Sequence, residues 1–123
     1  MCSTPPSLDA WLAEVKAEAG AGGAGMYLLH NGVVRDYTRA GQSVAGMALS
    51  VDRVRLEEVL AAAHAMPGIT SVRAWVNEGE LAVGDDIMRV LVGGNIRENV
   101  FAALKELVRM IKTEVVTEAE SFT

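Results

Sequence analysis

Apolar residues recur along this chain with two different periods, and the points where the period changes divide it into elements. Leu8, Trp11, Leu12, Val15 and Ala19 return at helical spacing behind Ser7, whose hydroxyl suits an N-cap, so a first helix is predicted there. The glycines from Gly20 to Gly25 end it. Met26 to Arg35 and Ser43 to Val51 read as strands, with the polar stretch Asp36 to Gln42 as a loop between them. Asp52 suits the cap of a second helix reaching about Ala65, with Val54, Val59, Leu60 and Ala63 turned inward, and Met66-Pro67-Gly68 stops it. Ile69 to Asn77 and Ile87 to Val92 predict two more strands, separated by a turn region from Glu78 to Asp86. Asn95, with Glu98 three residues on, reads as an Asn variant of the capping box. A long third helix then runs from about Ile96 to Lys112, its apolar face made of Val100, Phe101, Leu104, Leu107, Val108 and Ile111. The predicted order is α-β-β-α-β-β-α. Strands that come in pairs between helices favour an α+β layer with a mixed or antiparallel sheet over a doubly wound parallel one.

Composition narrows the class. The chain has 123 residues, half of them hydrophobic, with 11 Lys+Arg against 16 Asp+Glu and a net charge of −5. With no internal repeat or linker it reads as a single domain over 1–123, residues 1–6 forming a short flexible tail. A mildly acidic chain with pI near 5.0 lacks the basic stripe that nucleic acid requires. The longest weakly polar run, Val59 to Met66, falls far short of the roughly 20 residues of a membrane span, and the start lacks the parts of a signal peptide. One cysteine, Cys2, forms no internal disulfide, which points to a reducing cytoplasm. Two histidines without ligand spacing, His30 and His64, predict no metal site, and the composition calls for no cofactor.

Most chemical motifs dissolve on inspection. Gly20 to Gly25 matches G-x-G-x-x-G, but a helix precedes it and a strand follows, the reverse of a dinucleotide fingerprint. His30 and His64 read as structural, and Asp85-Asp86 as turn chemistry. The cations carry more. Arg35 ends a strand and, if no bulge intervenes, shares a face with Leu29 and Val33. Arg97 lies in the first turn of the third helix, where a cation opposes the helix dipole and invites a compensating anion. Lys112 lies at the far end of that helix, with Lys105 and Arg109 along the same edge. Together they suggest an anionic ligand. Fifteen residues of helix separate Arg97 from Lys112 by roughly 22 Å. One small anion held by both draws them from different subunits, as a twofold dimer with composite pockets provides.

From Gly25 to Glu118 the chain resembles the large, catalytic subunit of molybdopterin synthase, the MoaE family. The pieces that carry the resemblance are Asn31-Gly32-Val33-Val34-Arg35-Asp36, Glu78 to Ile87, Arg97 to Ala103 and Leu107 to Thr113, in the family's order and separations. The resemblance implies an α/β hammerhead fold and a homodimer. It implies a small ubiquitin-like sulfur-carrier subunit as partner, whose C-terminal Gly-Gly thiocarboxylate enters the large subunit's pocket. It also implies a reaction in which two sulfurs pass to cyclic pyranopterin monophosphate, making molybdopterin. The family's essential lysine falls on Lys112 as catalytic residue, and its pocket arginines on Arg35 and Arg97, with Arg109 a further substrate-binding candidate. The chain departs from the family at Ile96, where a histidine is common, and at Ala119, where a second lysine usually stands. Two other readings stay open: a non-catalytic dimeric paralogue that keeps an anion or partner site, and an unrelated α+β domain whose cations are ordinary surface charges.

Overall fold

The computed structural model describes residues 4–123; Cys2 and the start of the expected tail lie outside them. The three helices and four strands expected from periodicity are present in the expected order, as α1 (Leu8–Lys16), β1 (Met26–Val33), β2 (Val44–Val51), α2 (Arg53–His64), β3 (Ile69–Val76), β5 (Asp86–Gly94) and α3 (Arg97–Met110). Two further strands join them. β4 (Gly79–Ala82) occupies part of the stretch expected to be a turn, and β6 (Val116–Phe122) follows a π-helical turn, Ile111–Val115, beyond α3. The strands form two three-stranded sheets, β1-β5-β3 and β4-β2-β6. Every pairing is antiparallel.

β5 is the central strand of the first sheet and is covered on both faces. Met88, Val90 and Val92 point into the main core, where they meet Val100, Ala103 and Leu107 of α3 and Val59 and Ala63 of α2. Alternation sends Arg89 and Leu91 to the opposite face, and Leu91 is nonetheless fully buried. α1 covers that side. Arg73, paired with Leu91 across the sheet, forms ion pairs with Glu14 of α1 and with Glu18 just beyond it, and Arg89 donates to the Pro6 carbonyl at 2.7 Å.

Local chemistry starts the helices largely as expected. The Ser7 hydroxyl accepts from the Ala10 amide at 3.2 Å, and the Asp52 carboxylate from Arg55 at 3.0 Å. The Asn95 capping box does not form. Ile96 is the N-cap residue of α3, and the Asn95 side chain instead accepts from the Ile96 amide and from Asn99. Two residues expected inside are outside: Val54 is 74% exposed and Phe101 49%. Val54 lies in the first turn of α2, away from the stripe of Leu56, Val59 and Ala63 that meets the core. Phe101 lies on the flank of α3, off the stripe of Val100, Ala103, Leu107 and Met110.

Glycines serve the close approach of elements. A Cβ on Gly94 would come within 2.7 Å of the Gly68 carbonyl and 2.8 Å of a Val100 methyl, so this end of β5 admits no side chain. Leu107 is completely buried at the centre of the core. Leu107→Ala is expected to lower stability by about 2–5 kcal/mol through lost burial and the cavity left behind, read as a fall in the urea midpoint at unchanged slope.

Candidate functional site

A cavity of about 610 Å³ opens where the two sheets diverge, within the size range of small-ligand sites. Its walls come from the loop after β1, Met47 of β2, Ile87 of β5, the turn after α3 and β6. Five charged side chains enter it: Arg35, Arg39, Lys112, Glu118 and Glu120. Among the described residues none of the five makes an ion pair or a side-chain hydrogen bond. The Arg35 guanidinium instead lies over the Tyr37 ring, 4.9 Å from its centre, a stacking that holds the fork in place without neutralising it.

A bulge delivers Arg35. The β1–β5 register shifts between Gly32 and Val33, so the simple alternation that would group Arg35 with Leu29 is broken. Val34 turns into the core, 1% exposed, and Val33 and Arg35 both face the cavity. The loop that follows is closed on itself. Thr38 donates to the Gln42 carbonyl at 2.7 Å, Gln42 donates to the Thr38 hydroxyl at 3.0 Å, and Val44 donates to the Asp36 carbonyl at 2.8 Å. That closure positions Arg39 beside Arg35.

Lys112 is delivered by the π-helical turn. Ile111 and Val115 at its two ends are buried, the Val115 carbonyl accepts from the Asp52 amide at 2.8 Å, and Glu114 is ion-paired to Arg55 of α2. With both ends anchored, Lys112 is left on the outside, facing the cavity. Single π turns in otherwise α-helical chain recur at functional sites.

Of the residues expected to act together, Arg35 and Lys112 meet. Arg97 and Arg109 do not join them within one chain. Arg97 is exposed at the opposite end of α3, about 22 Å away by helix rise. Arg109 is turned aside because its guanidinium donates to Glu106 one helical turn earlier, through Nε at 3.0 Å. Arg39 and the two glutamates were not singled out from sequence. The loop gave no periodicity to place Arg39, and the glutamates fall in a segment without strand-like apolar alternation.

A second, shallower depression of about 300 Å³ lies between β1 and α3, lined by Leu28, His30, Phe101, Leu104, Lys105 and Val108. His30 reaches it half-buried, and its pKa lies below the ordinary histidine value, first because burial disfavours the charged ring and second because Lys112 repels it.

A family model described as MoaE protein matches residues 2–114. The chain belongs to the MoaE family. Its family is one of molybdenum cofactor biosynthesis. Solved structures agree in fold. The X-ray structure of molybdopterin synthase from Staphylococcus aureus superimposes with a TM-score of 0.77 at 16% identity, over 97% of this chain and 87% of that one. A molybdopterin cofactor biosynthesis protein E from Burkholderia multivorans gives 0.76 at 25% identity, over 98% and 84%. A complex of subunits 1 and 2 of molybdopterin-converting factor from Helicobacter pylori gives 0.68 at 15% identity, over 96% and 80%. No curated protein matches the chain. Among the described residues no helix is long and apolar enough to cross a membrane.

In this MoaE-family chain the position expected to carry a second lysine, Ala119, lies on the side of β6 turned away from the cavity, beside Ala48 and Ser50. The cavity face of the same strand carries Glu118 and Glu120.

The His30 environment has a pH consequence. A folded-state pKa below the unfolded one means that the unfolded chain binds the proton first as pH falls. Stability is therefore full above the unfolded value near 6.5 and declines as pH drops below it, until the folded ring also protonates. His30→Gln is expected to flatten that decline in urea titrations at successive pH values. In Lys112→Ala the His30 ring proton signal should titrate at higher pH than in the parent protein.

Proposed function

We propose that this chain is the large subunit of a cytoplasmic molybdopterin synthase, passing sulfur from a thiocarboxylated small carrier subunit to cyclic pyranopterin monophosphate. The observation that carries the reading is the meeting of Arg35 and Lys112, from distant parts of the chain, in one cavity. These are the residues to which the resemblance assigns substrate binding and catalysis. The Helicobacter pylori complex of two subunits, one chain of which shares this fold, supports a small-subunit partner.

The charges suit the chemistry. A phosphate is held by the planar forks of Arg35 and Arg39, which present paired donors. The thiocarboxylate sulfur bonds to a carbon of the acceptor, water then adds to the acyl carbon so that negative charge gathers on the acyl oxygen, and the acyl carbon–sulfur bond breaks, leaving the sulfur on the acceptor. The Lys112 ammonium, free of any carboxylate partner, is available to stabilise that oxygen. The carrier is released with an ordinary carboxylate.

Arg97 enters from a second copy. The α3 flank with Phe101, Leu104 and Val108, together with Leu28 of β1, forms the apolar depression, and Ile96 beside Arg97 is 51% exposed. Two copies laid with α3 antiparallel about a twofold axis bury this face against itself and bring the Arg97 end of one helix to the Lys112 end of the other. Phe101→Glu is expected to convert dimer to monomer in sedimentation velocity and to abolish turnover with it. A co-expressed mixture of Arg97→Ala and Lys112→Ala chains should regain about one quarter of parental activity, since half of the dimers are mixed and each has one intact composite site. Sites contained within one chain would regain none.

A second reading is favoured by one observation, the absence of a lysine on the cavity face of β6: a paralogue that binds the carrier or an anion without turnover. A single-turnover assay with thiocarboxylated carrier and cyclic pyranopterin monophosphate separates the two. Molybdopterin formed by the parent and lost, by about 10²-fold or more, in Lys112→Ala is the expected result. Tight carrier binding without product would establish the paralogue.

A further inference from the structure

The glutamates of β6 are the least expected feature of the cavity. A pocket for an anion gains nothing from carboxylates, which repel it. Yet β6 turns both toward the cavity, as strand alternation requires of residues two apart, while Thr117 and Ala119 line a depression on the other side. Glu120 stands opposite Met47 in the β2–β6 pairing, and Met47 itself lines the cavity. Glu118 and Glu120 therefore form one wall, and the loop after β1 brings Arg35 and Arg39 from another element, with Lys112 on the turn between α3 and β6.

Opposite charges that share a cavity normally collapse into ion pairs. Here Arg55, Arg73, Arg89 and Arg109 all pair with nearby carboxylates, and the cavity groups do not. Two unneutralised walls of opposite sign suit a ligand with an anionic group at one end and hydrogen-bond donors at the other. An ionised carboxylate only accepts, and its two oxygens match two adjacent N–H donors.

We propose that Glu118 and Glu120 are specificity-determining residues, an acceptor wall that reads the amino-pyrimidinone edge of a phosphorylated heterocycle while Arg35 and Arg39 hold its phosphate. For the pterin half of the ligand this rests on the synthase reading above. A pterin offers its ring N3–H and its 2-amino group side by side, a donor pair that one carboxylate spans. Replacing the 2-amino group with oxygen sets an acceptor against an acceptor, and the wall then rejects the ligand. Charges on an edge strand also discourage pairing with another chain, but that duty needs no cavity opposite the charge and produces no ligand selectivity.

Calorimetric titration of the full chain tests this with three probes. They are inorganic phosphate, 6-hydroxymethylpterin phosphate, and the corresponding lumazine phosphate, which has oxygen in place of the 2-amino group. The parent protein is expected to favour the pterin over the lumazine by about tenfold or more. Glu118→Gln/Glu120→Gln, two exposed positions where the fold is retained, should erase that preference and weaken pterin phosphate binding by about tenfold. The same variant should bind inorganic phosphate more tightly, because a repulsive charge pair is gone. Opposite signs for the two probes are the signature, since a general structural defect would weaken both. Equal binding of pterin and lumazine phosphates by the parent, or a preference unchanged in the double variant, overturns the acceptor wall even if sulfur transfer proceeds. A retained and Glu-dependent amino preference, in a protein that transfers no sulfur, supports the wall and sinks only the synthase reading.

Discussion

The burial of β5 on both faces is the constraint from which the rest of the architecture follows. A strand whose Met88, Val90 and Leu91 are all inaccessible needs hydrogen-bonding neighbours on each edge and a cover on each face. β1 and β3 supply the edges, α2 and α3 one cover, and α1 the other. Its central charge, Arg89, is accommodated because it pairs with Asp86 and donates to the Pro6 carbonyl, and at the strand's end Gly94 lets α3 and the Gly68 turn close against it while Gly93 makes room for Tyr27 and Ser71. The second sheet has no comparable centre. β2 pairs with the short β4 and the exposed β6, and the cavity opens where this weaker sheet departs from the stronger one.

The charged groups depend on that difference. Arg35 leaves β1 just past a bulge, where pairing with β5 gives out, and Lys112 leaves α3 where helical geometry loosens into a π turn pinned by Ile111, Val115 and Asp52. Both are irregular positions held by regular neighbours, which fixes a side chain's origin while leaving its charge unpaired. Residues that lie within regular elements are neutralised by carboxylates, Arg55 by Glu58 one turn on and Glu114 of the π turn, and Arg73 by Glu14 of α1.

The parts of the fold that bury apolar surface were legible in the sequence. The stripes of α1 and α3, the alternation of β3 and the caps at Ser7 and Asp52 state their own geometry, because burial and capping act through residue type and spacing. β4 and β6 were not legible. Val116-Thr117-Glu118-Ala119-Glu120-Ser121-Phe122 is exposed after its first residue, so its strand form comes from main-chain pairing with β2 and leaves no mark on side-chain hydrophobicity. Phe101 misled for a related reason. An aromatic residue on a helix reads as core, and only the placement of α3 shows that its flank is left uncovered. Arg35 and Lys112 stood out as cations at the ends of apolar elements and took their roles from the family's motifs, and Arg39 was missed because a closed loop carries no periodic signal.

The position of Arg97 turns the uncovered flank into part of the same problem. A helix of 14 residues is rigid on the scale of a small ligand, so its two ends cannot serve one site within a chain. The apolar depression around Phe101 lies along the length of that helix, between Arg97 and Lys112. An antiparallel copy of α3 laid there removes exposed apolar surface and, by the same twofold operation, sets each Arg97 beside the other chain's Lys112. In the dimer proposed above, burial drives association and the geometry of the helix decides which charges meet. In that proposed dimer the site is complete, and a lone chain, however well folded, brings Arg35, Arg39 and Lys112 but lacks the Arg97 that its anionic ligand would also meet.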